Sequence, residues 1–219
     1  MSAGLSKPPF VIANDNENSG IQLDVIRAAF ATEQQGVNFI HVPLARSFSS
    51  INKWHFDGTI TLPTTHQRED VYLSDPYIGY QNVVITLAED NIEINDVSDL
   101  ANKRIVAFQM AKNFLGPDYV SAVNKAQDYR ELADQMKQID MLFFKRTDAL
   151  VLDISIFKYF LLQHHGDKYK KSYIVHQIFK PVKYGAGFKN KADRDKFNQG
   201  LKVIKANGTY QKILDKYQR

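Results

Sequence analysis

The stretch Asp57-Gly58-Thr59-Ile60-Thr61-Leu62-Pro63-Thr64-Thr65-His66-Gln67-Arg68 decides how this chain is read. Asp57-Gly58 is a turn dipeptide, and the run Thr59–Leu62 behind it has the β-branched and aliphatic character of a strand. A hydroxyl and a guanidinium, Thr65 and Arg68, follow the end of that strand at once. In open α/β sheets the region beyond the carboxyl ends of the strands is where ligands bind.

Upstream of this stretch, short apolar runs alternate with helical patterns. Phe10-Val11-Ile12 predicts a strand. After Asn18-Ser19-Gly20, the residues Leu23, Ile26 and Phe30 fall on one face of a helix that Gly36 stops. Val37–Val42 alternates as a strand, and Ala45–Trp54 predicts a second helix. The resulting β-α-β-α-β order calls for a mostly parallel sheet with helices on its faces.

A second set follows downstream. Arg104–Gln109 predicts a strand, Tyr119–Ala126 and Leu132–Phe144 helices, and Ala149–Leu152 a buried strand. The next helix carries Ile154, Phe157 and Leu161 on one stripe, and Tyr173–Phe179 predicts a further strand. Phe197, Leu201 and Ile204 stripe a helix that Asn207-Gly208 terminates, after which Thr209 is expected to cap a last short helix. Two α/β sets in 219 residues predict two lobes, 7–82 with 184–219 and 83–183, joined by strand crossings at Tyr80–Leu87 and Phe179–Gly187.

Composition narrows the function classes. With 44% hydrophobic and 24% charged residues the chain is long enough for two small cores, and no apolar run reaches the roughly 18 residues of a membrane span. The net charge of +4 is spread along the chain, so a nucleic-acid partner is not expected. The absence of cysteine excludes disulfides and thiolate chemistry. His164-His165 points to different sides of a helix and is not read as a metal site, and no phosphate loop or catalytic signature occurs. No cofactor is expected.

Several segments, in order, resemble the family 3 bacterial extracellular solute-binding proteins, which include the amino-acid-binding proteins of ABC importers. They are Pro8-Pro9-Phe10, Gly20-Ile21-Gln22-Leu23-Asp24, Asp57-Gly58, Thr65-His66-Gln67-Arg68 and Leu73-Ser74-Asp75-Pro76-Tyr77. Ser98-Asp99-Leu100-Ala101-Asn102-Lys103-Arg104 and the terminal Asn207-Gly208-Thr209-Tyr210 with Ile213 and Lys216-Tyr217 complete the set. The resemblance implies an α/β protein of the type II periplasmic-binding fold, two lobes that hinge shut on a small polar solute without reacting with it. It also implies a monomer in the periplasm or outside the cell, with a signal peptide or anchor missing ahead of a non-native Met1. The partner is an ABC permease or, on the alternative reading, a fused signalling domain. A cyclohexadienyl dehydratase-like enzyme on the same fold is the remaining alternative. It needs a proton donor or acceptor from among Glu69, Asp75 and Asp153.

The resemblance also assigns residues. Arg68, the Arg of the Thr-x-x-Arg motif, is expected to grip a ligand carboxylate with its guanidinium fork, beside Thr65. Asp153, after Ala149-Leu150-Val151-Leu152, is expected to accept from a ligand ammonium, although an Asp there also suits a helix N-cap. Leu62 and Tyr77 complete the expected lining, and Tyr80 lies where the chain leaves the first lobe. The sequence departs from the family at Pro63, which replaces a hydroxyl residue, and at Met110-Ala111-Lys112, which replaces a Gly-Ser/Thr-Thr turn. The aromatic residues that often clamp a ligand appear as Lys7 and Leu44. Lys7, Lys112 and Arg46, the last in an unfavourable place at a helix start, favour a ligand with extra negative charge.

Overall fold

The computed structural model describes residues 1–14, 17–43, 56–65, 69, 71–163 and 166–217. The expected helix Ala45–Trp54, with Leu44, His164 and His165, lies outside them. The chain forms two compact units, Met1–Tyr80 with Val182–Arg219, and Gln81–Pro181.

In unit 1, β1 is Ser2–Ala3, followed by β2 (Ile12–Asn14), β3 (Glu17–Ser19) and helix α1 (Ile21–Ala31). Then come β4 (Ile40–His41), β5 (Gly58–Pro63), β6 (Tyr72–Leu73) and β7 (Ile78–Tyr80). The sheet order is β4-β1-β5-β13-β6, with β7 also paired to β13 (Val182–Phe188). β1 runs parallel to β4 and β5, and β13 antiparallel to β5. The first sheet strand is therefore Ser2–Ala3 and not Phe10–Ile12. The apolar run stays out of that sheet because Ile12–Asn14 pairs antiparallel with Glu17–Ser19 as a separate hairpin. The Met1 ammonium donates to the Asn38 carbonyl at 2.7 Å, and burial lowers its pKa, with Asp57 offsetting part of the effect.

Helix α1 starts without a side-chain cap. The Ile21 and Gln22 N–H groups donate instead to the carbonyls of Pro9 and Phe10, both at 3.0 Å, which satisfies two donors that a helix start leaves open. This close approach demands Gly20, whose φ is 113° and whose Cβ, if present, would lie 2.6 Å from the Phe10 carbonyl oxygen. Helices α6 (Lys191–Ala206) and α7 (Thr209–Tyr217) pack against α1. Phe197, Leu201 and Ile204 are buried at the helical spacing the sequence shows. The start of α7 differs from expectation: Thr209 is its first residue, and its N–H donates to Asn207 Oδ1 at 3.0 Å. Tyr217 locks the C-terminus down, donating to Asp24 Oδ2 at 2.6 Å while accepting from the Gly20 N–H at 2.9 Å. Gly200 sets the helix crossing, since a Cβ there would fall 2.0 Å from the Ala29 carbonyl oxygen.

In unit 2, β8 (Asn82–Leu87) precedes β9 (Arg104–Phe108), α2 (Ala111–Phe114), α3 (Gly116–Val123) and β10 (Asp128–Leu132). Helix α4 (Gln135–Phe143), β11 (Ala149–Asp153), α5 (Ile154–Gln163) and β12 (Tyr173–His176) complete it. The order is β10-β9-β11-β8-β12, with β9, β10 and β11 parallel and β8 antiparallel to its two neighbours. One face packs Ile105, Ala107, Val151 and Val84 on Leu100, Tyr119 and Val123. Elsewhere in this unit Phe157 lies near Phe143 and Tyr173, with ring centroids 6.3 and 4.9 Å apart. β10 carries no strand signal in the sequence, and the helix expected from Leu132 begins at Gln135. Asp128-Tyr129-Arg130-Glu131-Leu132 is an edge strand whose side chains are only half-buried or exposed, so it carries no apolar run.

Two predictions concern stability. Gly200→Ala must push α1 and α6 apart, and overpacking of this kind costs about 1–3 kcal/mol. Thermal unfolding should show a Tm lower by several degrees, and an unchanged Tm would refute the close crossing. His176 in β12 pairs its Nε2 with Thr86 Oγ1 at 2.9 Å, and burial holds its pKa below the usual 6.5. The unfolded chain then binds this proton more readily than the folded one. Stability should therefore decline as the pH falls from about 6.5 towards the folded pKa. Denaturant titrations at several pH values should show that decline reduced in His176→Gln.

Candidate functional site

Each unit has a sheet edge at which parallel strands end, and most described candidates cluster there or just beneath. In unit 2 the strands β9, β10 and β11 all run towards the edge that holds Met110, Glu131 and Asp153. Asp153 is the last residue of β11 and is only 3% exposed. Its Oδ2 accepts the Gln81 N–H at 2.7 Å, and its Oδ1 accepts the N–H groups of Ser155 and Ile156 at 2.8 and 3.2 Å. The carboxylate thus caps α5 and also anchors the residue that enters β8. The Gln81 side chain continues the tie, donating to the carbonyls of Asn82 and Phe179.

The turn after β9 places Met110 in the left-handed region, with φ 69° and ψ 21°. Glu131 on β10 accepts the Met110 N–H at Oε2 (2.8 Å) and the Lys112 N–H at Oε1 (3.0 Å). The Tyr129 hydroxyl donates to Glu131 Oε1 at 2.7 Å, and burial raises the pKa of that phenol. The Lys112 ammonium donates to Asn124 Oδ1 at 2.9 Å and lies 4.7 Å from the centroid of the Tyr129 ring. Its charge is engaged within unit 2.

In unit 1, Thr65 is exposed in the turn after β5. Leu62 and Tyr77, expected in the ligand lining, are buried within this unit. Tyr77 is 1% exposed and donates its hydroxyl to the Ile60 carbonyl at 2.6 Å. Its ring meets Phe197 edge-on at 5.6 Å, and burial raises its pKa. The Gln22 amide donates to Tyr77 Oη and Thr61 Oγ1 and accepts from the Tyr80 hydroxyl. Nothing in the spacing of these residues separates core from lining; the difference arises when β5, β7 and α1 pack together. The Lys7 ammonium lies 4.6 Å from the centroid of the Tyr80 ring, a cation–π arrangement. Arg68 and Arg46 lie outside the described residues.

The sequence reading missed Glu131, Tyr129 and Gln81. Tyr129 and Glu131 stand two apart and so share one face of β10, a signal that required β10 itself to be recognised. Among the described residues no group of three or more His, Cys, Asp or Glu could hold a metal ion, and no helix is long and apolar enough to cross a membrane.

The fold is that of the type II periplasmic-binding proteins. The chain belongs to the bacterial extracellular solute-binding proteins, family 3, whose model matches residues 2–219. The arginine-binding periplasmic protein of Mannheimia haemolytica is 24% identical over 221 residues, covering 97% of this chain and 87% of the relative. Among solved structures, the GluR0 ligand-binding core in complex with L-glutamate superposes with a TM-score of 0.80 at 18% identity, covering 100% of this chain and 97% of that one. A histidine kinase sensor domain with similarity to periplasmic binding proteins gives a TM-score of 0.81 at 15% identity, over 99% and 95% of the two chains.

Asp153→Ala would leave three backbone donors without their acceptor, whereas Asp153→Asn keeps one acceptor oxygen, enough for Ser155 and Ile156. A lost cap costs roughly 0.5–2 kcal/mol, and the Gln81 bond adds to that. Urea titration should rank stability as wild type, then Asn, then Ala; equal stability of Ala and wild type would mean these bonds contribute nothing.

Proposed function

We propose that this chain binds a small solute bearing a carboxylate, an amino acid or a close relative of one, outside the cytoplasm and as a monomer, for delivery to an ABC importer. The family match over residues 2–219 carries this reading, and the arginine-binding relative supports an amino-acid ligand. Arg68 supplies the guanidinium fork for the ligand carboxylate, with Thr65 beside it. Asp153, fixed by the N–H groups of Gln81, Ser155 and Ile156, presents a preorganised negative charge to the ligand ammonium. Such a carboxylate needs no reorganisation when a cation arrives. The role is binding without chemistry, and the matched relative is itself a binding protein.

The likeness to a histidine kinase sensor domain favours a second reading, in which the same module reports ligand to a fused signalling domain. A membrane helix following this segment in the full-length gene product would support sensing, and a signal peptide alone would support transport.

Calorimetry against L-arginine, L-glutamine and L-glutamate tests the first reading. A ligand at about 100 times its Kd should stabilise the protein by about 2.7 kcal/mol. Arg68→Ala should weaken whichever amino acid binds by at least about thirtyfold, because truncating one partner of a buried, hydrogen-bonded charge pair costs about 2–5 kcal/mol. Unchanged affinity in a folded Arg68→Ala protein would remove Arg68 from the site.

A further inference from the structure

The turn that closes β9 is built to hold an anion. Met110 adopts a left-handed conformation, and the N–H groups of Met110 and Lys112 converge on a single carboxylate, that of Glu131, at 2.8 and 3.0 Å. Converging backbone donors of this kind form an anion-binding concavity, and this one lies beyond the carboxyl end of a parallel strand, where open sheets receive ligands. The anion in it belongs to the protein. Register fixes the geometry, for Glu131 pairs with Ala107 and Leu132 with Phe108, which brings the Glu131 side chain alongside the turn. The Tyr129 hydroxyl adds a third donor. The Lys112 ammonium reaches Asn124 instead.

We propose that Glu131 is a specificity-determining residue, whose carboxylate occupies the backbone anion position of unit 2 and closes it to a carboxylate carried by the ligand. The proposal deepens the solute-binding reading and rests on it for the ligand, while the occupancy itself is testable without one. A carboxylate on the ligand's side chain finds no partner at this turn and meets the Glu131 charge, so neutral or cationic side chains are preferred over acidic ones. This reverses the preference for extra negative charge that Lys112 suggested in the sequence.

Glu131→Ala empties the position and leaves the backbone donors in place. Its Tm should fall, and high-millimolar formate or acetate should restore it more than chloride at equal ionic strength, with no such difference in the wild type. By calorimetry, the affinity for L-glutamate relative to L-glutamine should rise at least tenfold over the wild-type ratio. A folded Glu131→Ala protein on which carboxylates act no better than chloride would overturn the occupancy. Rescue without a change in the glutamate-to-glutamine ratio would overturn the role in selectivity. If Glu131→Ala does not fold, Glu131→Gln takes its place, because its amide oxygen accepts as the carboxylate did but carries no charge. That variant should show faster exchange of the Met110 or Lys112 amide and a ratio shifted in the same direction, and an unshifted ratio would overturn the proposal. Acetate rescue in a protein whose wild type binds no amino acid would instead remove the solute-binding reading and leave the occupancy standing.

Discussion

Where a strand meets a turn, backbone N–H groups lose their ladder partners, and at three such places in unit 2 a carboxylate takes them up. Asp153 accepts from Gln81, Ser155 and Ile156, and Glu131 accepts from Met110 and Lys112. At the opposite end of the same sheet Asp148 accepts the Arg104 N–H at 2.8 Å and pairs with its guanidinium. The rest of the unit depends on these bonds, because an orphaned buried donor costs as much as a lost hydrogen bond. They leave this end of the sheet with side-chain charge held by the backbone.

Unit 1 solves the same problem with close approach. Gly20 lets the loop carbonyls of Pro9 and Phe10 satisfy the start of α1, and Gly200 lets α6 settle against Ala29. The buried amide of Gln22 then ties α1 to β5 and β7 through Thr61, Tyr77 and Tyr80. Every polar atom of that side chain is used, as a buried amide requires. Two sequence landmarks far apart in the chain, Gly20–Asp24 and Lys216-Tyr217, meet directly through the Tyr217 hydroxyl and the Lys216 ammonium on Asp24.

A binding protein needs charges that are ready before the ligand arrives. Asp153 is a carboxylate held by bonds that also hold the fold, so the structural role seen here and the recognition role proposed for it are compatible. Lys112 illustrates the opposite case. Its position in the sequence suggests an ammonium facing the ligand, yet the side chain reaches Asn124 and the ring of Tyr129. A long flexible side chain goes where its partners are, and sequence spacing does not locate them.

The sequence by itself determined the α/β class, the helix stripe Phe197-Leu201-Ile204 and the strands expected at Arg104–Gln109 and Ala149–Leu152, found at Arg104–Phe108 and Ala149–Asp153. In these segments one face or both are apolar at the period of the element, and burial follows that period directly. It also carried the family's landmarks. Tertiary structure decided the rest. Ser2–Ala3 becomes a sheet strand only because β4 and β5 flank it. Asp128–Leu132 becomes a strand only because β9 offers its edge. Tyr77 lies in a core and the Glu131 side chain against the turn after β9 because partners distant in sequence meet them there. Short, polar or ambiguous segments contain too little apolar pattern to specify their own place, so the free energy that fixes them comes from contacts made after the chain has folded.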